Sequence, residues 1–292
     1  PSWSRVYVKV NMNREDSKIL LKEIYEDIVL PNSSPQGMEK YLTDNLAIDI
    51  TFDLVLKEEL LRAELISAPL TILILLFVFG TVVSASLPAL SGIYTVIAAV
   101  GIIHGLTYVV DDLTVYAVNI VSLLGIGLSV DYSLFIVNRF REELGRGHDK
   151  RTAIAMTSAT AGRAILFSGL TVVAGLTGML FFENTGLPSL GWGGICATLV
   201  ALTSSVILLP SILAILGERI NSGRVPLGLS TEVADDGFWY DLAKRVMSKP
   251  LSFLVPSVLV LLVAGAPFLQ AEWGITSWKA LSPDNEARSG ME

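Results

Sequence analysis

The chain has 292 residues, of which 52% are hydrophobic and only 17% charged; an ordinary soluble domain carries about a quarter charged residues. Its formal net charge of −7 gives no basic footprint for nucleic acid, and its one cysteine, Cys196, excludes an internal disulfide and reads as a small buried apolar residue. The charge is unevenly spread. Residues 1–60 are ordinary in composition and long apolar stretches follow, which predicts a soluble piece joined to a membrane piece.

The first piece, residues 1–64, reads as α+β. Val6, Val8 and Val10 share one face of a strand over Trp3–Val10. Ile19, Leu20, Ile24 and Ile28 give helical spacing over Asp16–Val29, a loop follows at Pro31–Gly37, and Glu39–Thr43 suits a second strand. A helix over Leu46–Glu64 should run straight into the first apolar stretch. This β-α-β-α piece is too small for a full core and fits a domain cut at its start.

About 20 apolar residues cross a bilayer as a helix, and six candidates follow. Span A is Leu65–Ser84, span B Pro88–Val109, span C Thr114–Asn138, span D Gly162–Phe182, span E Leu187–Leu216 and span F Leu251–Leu269. Five of them form a core over residues 65–216; a linker over 217–249 precedes span F at 250–269; and the polar residues 270–292 resemble the opening of a second outer domain. Between C and D, Asp149–Ala161 suits a short helix along the inner surface.

Orientation follows the basic residues of the short loops. The C–D loop holds Arg139, Arg141, Arg146, Lys150, Arg151 and Arg163, and the E–F loop holds Arg219, Arg224, Lys244, Arg245 and Lys249. The B–C loop holds Asp111 and Asp112, the D–E loop Glu183, and neither has a basic residue. The C–D and E–F loops are therefore expected in the cytoplasm, with both ends of the chain outside. The start at Pro1 and the stop at Glu292 are abrupt, as expected of a fragment.

Span C contains Gly125-Ile-Gly127-Leu-Ser-Val-Asp131-Tyr132-Ser133. Asp131 is the one carboxylate well inside a span. It precedes Arg139 by eight residues, roughly 12 Å of helix. A charge near a helix centre costs about 2.5–3.5 kcal/mol on insertion scales, so such a residue is seldom kept for packing. It suits a group that takes and releases a proton; the alternative is a structural carboxylate held by hydrogen bonds in a bundle. Gly127, one turn away on the same face, lets a neighbouring helix come close, and Gly125 is a second small residue that suits helix packing around the pair. Tyr132 lies about 100° around the helix, either donating to a carboxylate on another helix or filling the bundle. Ser168 in span D could donate to Asp131 or simply allow tight packing. His104 in span B suits a proton relay or a structural role, and Asn119 a cap or a cross-link between helices.

Other chemistry finds no support. Gly145-Arg-Gly-His-Asp-Lys150-Arg-Thr152 resembles a phosphate loop, but no Gly precedes the Lys and no strand leads in. A membrane aspartyl protease would need a second spanning aspartate. No Ser/His pair has hydrolytic spacing, and no Cys/His group has metal-ligand spacing, so neither enzyme activity nor a cofactor is expected.

The string from Gly125 through Asp131-Tyr132 to Arg139-Phe-Arg141-Glu142-Glu143-Leu144 closely resembles the fourth-span signature of the MMPL family, large membrane transporters of the RND superfamily. Glu64-Leu-Ile-Ser-Ala-Pro69-Leu resembles the family's entry to its second span. Ala161-Gly-Arg163-Ala-Ile-Leu-Phe-Ser168-Gly-Leu-Thr171 resembles the entry to its fifth, and Leu209-Pro210-Ser-Ile-Leu-Ala the end of its sixth. Trp273-Gly-Ile-Thr through Ser282-Pro-Asp-Asn-Glu-Ala-Arg288 resembles the start of its second outer domain.

The resemblance implies that spans A–F are the second to seventh of about twelve, in two related halves, and that residues 1–64 belong to a porter-type domain. It implies that Asp131 and Tyr132 are half of a proton relay, facing an equivalent pair from the second half of the same transporter. The implied function is export of lipids or other hydrophobic compounds across the cytoplasmic membrane, driven by the proton-motive force. Its partners would be protons, membrane lipids, a hydrophobic substrate and the second half, with a homo-oligomer left open. Relatives that sense lipids or sterols, or that aid protein secretion, supply the competing functions.

Overall fold

In a computed structural model of the chain, the structure describes residues 19, 20, 23, 24, 45–110, 113–182, 186–225 and 238–271. The expected strands at Trp3–Val10 and Glu39–Thr43 lie outside these residues, as do Asp111, Asp112, Glu183 and residues 272–292. Residues 19, 20, 23 and 24 are helical, in the stretch expected to be a helix. The chain divides into two compact units, one of residues 1–59 with 232–292 and one of Leu60–Thr231.

Seven helical rods account for most of the described residues: α1 (Asn45–Phe79), α2 (Val82–Leu106), α3 (Val115–Gly145), α4 (Lys150–Phe181), α5 (Leu187–Asn221), α6 (Phe238–Ser248) and α7 (Pro250–Gln270). Five of them, α2, α3, α4, α5 and α7, are long and apolar enough to cross a membrane, so this is a multi-pass membrane protein. Among the described residues no strand forms beyond one isolated bridge between Thr81 and Arg224.

The remaining expected span, A, is shorter than its apolar stretch suggested. The apolar part of α1 ends at Phe79, giving Leu65–Phe79, rather than at Ser84. Gly80 takes φ +64°, a conformation that favours glycine, and its N–H closes the helix on Leu76 O at 2.8 Å. Thr81 is then extended, with φ −140°. The break is held by residues far along the chain. Val82 N donates to Gly223 O at 3.0 Å, and Val225 N donates to Gly80 O at 2.9 Å. Ser84 Oγ donates to Ile220 O at 2.9 Å. Arg141 on α3 completes the junction, donating to Asn221 Oδ1 and to Phe79 O, both at 2.9 Å. Span B accordingly starts at Val82, with Pro88 inside the helix.

The surface helix expected over Asp149–Ala161 and the span expected from Gly162 are one continuous rod. Asp149 caps it by accepting from Arg151 N at 3.2 Å. The Thr152 hydroxyl, with the Arg151 N–H, holds the Asp149 carboxyl below the ordinary carboxylate range. Helix then continues through one widened π turn, Ser158–Gly162. Thr157 and Thr160 flank or enter that turn and donate to Ala153 O and Met156 O, both at 2.7 Å, so the hydroxyls serve carbonyls where the ladder widens. A second π turn, Ser204–Leu208, interrupts α5. In the expected linker, Gly217–Asn221 is a 3₁₀ turn continuing α5 and Phe238–Ser248 is helical.

Within the Leu60–Thr231 unit, α3 and α5 are the central pair. One apolar cluster gathers Phe79, Leu87, Tyr132, Ile136, Phe140, Leu209 and Leu213 around the end that carries Gly80 and Gly145. A second gathers Ala99, Ile103, Ala117, Val121, Cys196, Ala197 and Val200 toward the opposite end. Cys196 is buried, as its apolar surroundings suggested.

Candidate functional site on the central helix

The helix α3 carries the charge that a spanning segment least tolerates. Asp131 is exposed, while Tyr132 is only 6% exposed. The two side chains diverge as adjacent helical positions must. Asp131 shares its open face with Leu123 (57% exposed), Ile126, Gly127 and Phe135 (62% exposed), residues at intervals of three and four along one side of the helix. Among the described residues no hydrogen bond or ion pair to this carboxylate stands out, and it lies in an uncovered apolar stripe.

Tyr132 turns into the bundle with Ile136 and Phe140. Its hydroxyl is buried and outside hydrogen-bonding geometry, and the side chain that comes beside it is Ser168 from α4. Of the two readings for Ser168, donation to Asp131 or tight packing, its place beside Tyr132 agrees with packing around the pair. The two glycines also part company. A Cβ at Gly125 would lie 3.5 Å from Ala197 Cβ and from Thr95 Cγ2, so Gly125 packs between α5 and α2. A Cβ at Gly127 would meet nothing within 4 Å, so among the described residues no helix is in contact there.

Two further candidates stay apart from this group. His104 is exposed in the last turn of α2, its ring edge-on to Tyr108 with centroids 5.8 Å apart. It is nine residues, about 13 Å of helix, from the level of Thr95, which bonds to α3 at Ser129. Asn119 is half-buried, twelve residues before Asp131, or about 18 Å along α3.

A buried carboxylate that the sequence reading passed over lies three turns beyond Asp131. Glu143 is completely buried, paired to Arg139 at 2.5 Å, to Arg146 at 3.0 Å and to His148 at 2.8 Å. Glu142 repeats the pattern with Arg139 at 2.8 Å and Arg146 at 2.5 Å. The signal was present as Arg139-x-x-Glu142-Glu143-x-x-Arg146, since charges three and four apart meet on a helix. The basic residues expected to act as a topology anchor thus also hold the helix end together. Replacing Glu143 with Ala should destabilise the protein by about 3 kcal/mol, because it strands charges around a buried position; Arg146 is 51% exposed, which keeps the figure at the low end. Glu143→Gln should cost less. Thermal melting in detergent reads the order, and an Ala variant that melts like the wild type would refute it.

Among the described residues no group of His, Cys, Asp and Glu could hold a metal ion.

The sequence profile of the MMPL family matches residues 5–253. The chain is 31% identical, over its whole length and 31% of the relative's, to the mycolic acid-containing lipids exporter MmpL11 of Mycolicibacterium smegmatis. It is 33% identical to the trehalose monomycolate exporter MmpL3 of Mycobacterium tuberculosis, over 79% of this chain and 27% of that protein. The Mycolicibacterium smegmatis exporter MmpL3 is also 33% identical, over 80% of this chain and 26% of its own length. The chain therefore spans about a quarter to a third of the curated relatives it matches.

Proposed function

This chain belongs to the MMPL family, and we propose that it forms the first-half core of an exporter that moves lipids across the cytoplasmic membrane at the expense of the proton-motive force. Asp131 and Tyr132 are its half of the proton relay. The observation that carries this reading is the position of Asp131: an ionisable group at mid-span, on the one face of α3 where Leu123, Gly127 and Phe135 are also uncovered. Leaving that charge against lipid costs about 2.5–3.5 kcal/mol or more. A second half of the transporter, bringing polar groups to this stripe, offsets the cost. Lipid as cargo is supported by relatives that are named as exporters of mycolic acid-containing lipids and of trehalose monomycolate.

In this arrangement Leu65–Phe79, continued by the helical residues before it, makes a sixth crossing. The end of the bundle with Gly80, Arg139 and Asn221 faces the cytoplasm, because the basic loops gather there, and the pieces before and after the bundle lie outside. Ser168 lies beside Tyr132, and Gly125 lets α3 close on α2 and α5. Protonation of Asp131 removes its charge and loosens its hold on the second half, so the halves rock between two states. Each proton crossing 100 mV releases about 2.3 kcal/mol, enough to bias such an equilibrium roughly fiftyfold.

The test uses the full-length protein in liposomes loaded with trehalose monomycolate, the lipid named for the MmpL3 relatives. An imposed gradient, acid on the outer side, should drive lipid transfer, and a protonophore should stop it. Transfer that persists at full rate after the gradient has collapsed would rule out proton coupling.

A further inference from the structure

On the side of α3 away from Asp131, a chain of buried hydroxyls ties three helices together. Thr95 Oγ1 donates to Ser129 Oγ at 2.9 Å, and Ser129 Oγ donates to Ser91 Oγ at 2.9 Å. Ser91 Oγ in turn lies 2.9 Å from Ser204 Oγ on α5. Thr95 and Ser129 are fully buried, and Ser91 and Ser204 nearly so. Apolar residues lie beyond the layer at both ends: Leu87 and Ala99 along α2, Val121 and Ile136 along α3. The four hydroxyls are one another's partners, whereas Ser133, one turn along α3, and Ser205, next to Ser204, are buried outside hydrogen-bonding geometry.

We infer that Ser129, held between Thr95 and Ser91, is a positioning residue that fixes the rotation of α3 and thereby aims Asp131 and Tyr132; this rests on the relay reading above. Thr95 and Ser91 are one turn apart on α2, so Ser129 sits between two anchors. It cannot slide along α2 or turn about the α3 axis without losing one of them. Asp131 follows Ser129 by two residues, about 200° around the helix, and Tyr132 by three, about 300°. Holding Ser129 inward sends Asp131 outward and keeps Tyr132 on the inner shoulder, as observed. A carboxyl about 6 Å from the helix axis moves about 1 Å for each 10° of rotation. That displacement takes a good hydrogen bond out of range, so a small freedom at Ser129 becomes a large error at Asp131. Hydroxyl bonds between membrane helices contribute little to stability; here their effect is on direction. The layer also ends at Ser204, the first residue of the π turn in α5, which joins the rotation of α3 to the place where α5 leaves regular geometry.

The full-length protein in liposomes, with a pH dye trapped inside and an acid-outside gradient, provides the test. Ser129→Ala and Thr95→Val should slow proton entry about 3- to 20-fold, the weight of one interhelical hydroxyl bond. Both should shift the pH at which the rate is half-maximal, while melting like the wild type. Ser129→Thr keeps the hydroxyl and should restore the pH profile. Wild-type rate and pH profile in Ser129→Ala would overturn the inference, as would a loss that follows a lowered melting temperature and is not recovered in Ser129→Thr. Asp131→Asn in the same liposomes separates the two levels. If it conducts protons normally, the relay reading fails and positioning with it; if it blocks entry while Ser129→Ala does not, positioning alone fails.

Discussion

Asp131→Asn in the full-length protein should leave the protein folded and reduce proton-driven export by about 100-fold or more. The substitution keeps the size of the side chain and its capacity for hydrogen bonds, and removes only the proton that can be exchanged. Removing a positioned proton-transfer group typically costs about 10²–10⁴-fold. Folding should be spared, because Asp131 lies on the exposed face of α3 and not in either apolar cluster. The amide is also cheaper than a carboxylate to hold in a membrane, so the melting temperature should be unchanged or slightly raised. The informative pair of measurements is the export rate across a pH range and the melting temperature. The wild-type rate should follow a titration, and the residual rate of the variant should be flat with pH. A variant that exports at the wild-type rate with the same pH dependence would remove Asp131 from the coupling mechanism.

Much of the bundle was legible because membrane helices announce themselves. Spans C, E and F were found within a few residues at their starts, since about twenty apolar residues leave little choice. Their ends were less legible. α3 runs on through Gly145, past the apolar residues, because Glu142 and Glu143 neutralise Arg139 and Arg146 on the same helix. The break at Gly80 had no local signal. Glycine is tolerated inside membrane helices, and apart from Thr81 the nearest residues on both sides are apolar. What fixes it there is the pairing with Gly223 and Val225, more than a hundred residues away, which no local pattern encodes. The continuity of α4 was hidden for the opposite reason: Gly162 and the small residues before it resemble a stop, yet a π turn absorbs them.

The site was legible in kind and not in geometry. An Asp within an apolar run is conspicuous because of its cost, and the divergence of Asp131 from Tyr132 follows from 100° per residue. Which helix faces which side of α3 does not. Gly125 and Gly127 are equivalent in sequence, two residues apart with the same composition around them. Only the fold distinguishes the one packed against Ala197 and Thr95 from the one with open space. Ser129 was hidden within the same string, because a serine in a membrane helix declares neither its partner nor its burial.

Gly193→Ala should destabilise the protein by about 3 kcal/mol or more, and Gly193→Leu should prevent the bundle from assembling. Gly193 is a buried residue of α5 at the closest approach of the two central helices. An ideal Cβ there collides with the carbonyl oxygen of Ala117 and with Cγ2 of Ile120. A side chain can change rotamer; a helical carbonyl cannot, and Ala117 is itself fully buried. The two helices would have to separate along their contact, disrupting the cluster of Val121, Ala197 and Val200. Overpacking costs about 1–3 kcal/mol where side chains can yield, so a clash with backbone belongs at or above the top of that range. Gly194 offers the comparison, because its nearest obstacle is the Leu176 side chain at 2.8 Å. Gly194→Ala should therefore be the milder change. Gly127→Ala should leave the melting temperature alone, since among the described residues nothing lies within 4 Å of a Cβ there. Expression and melting in detergent rank the four variants. If Gly193→Ala melts with Gly127→Ala, α3 and α5 are not in backbone contact at this point. If Gly127→Ala keeps its melting temperature but loses export in the full-length protein, the surface that covers Asp131 comes from outside this chain, where the proposed relay requires it.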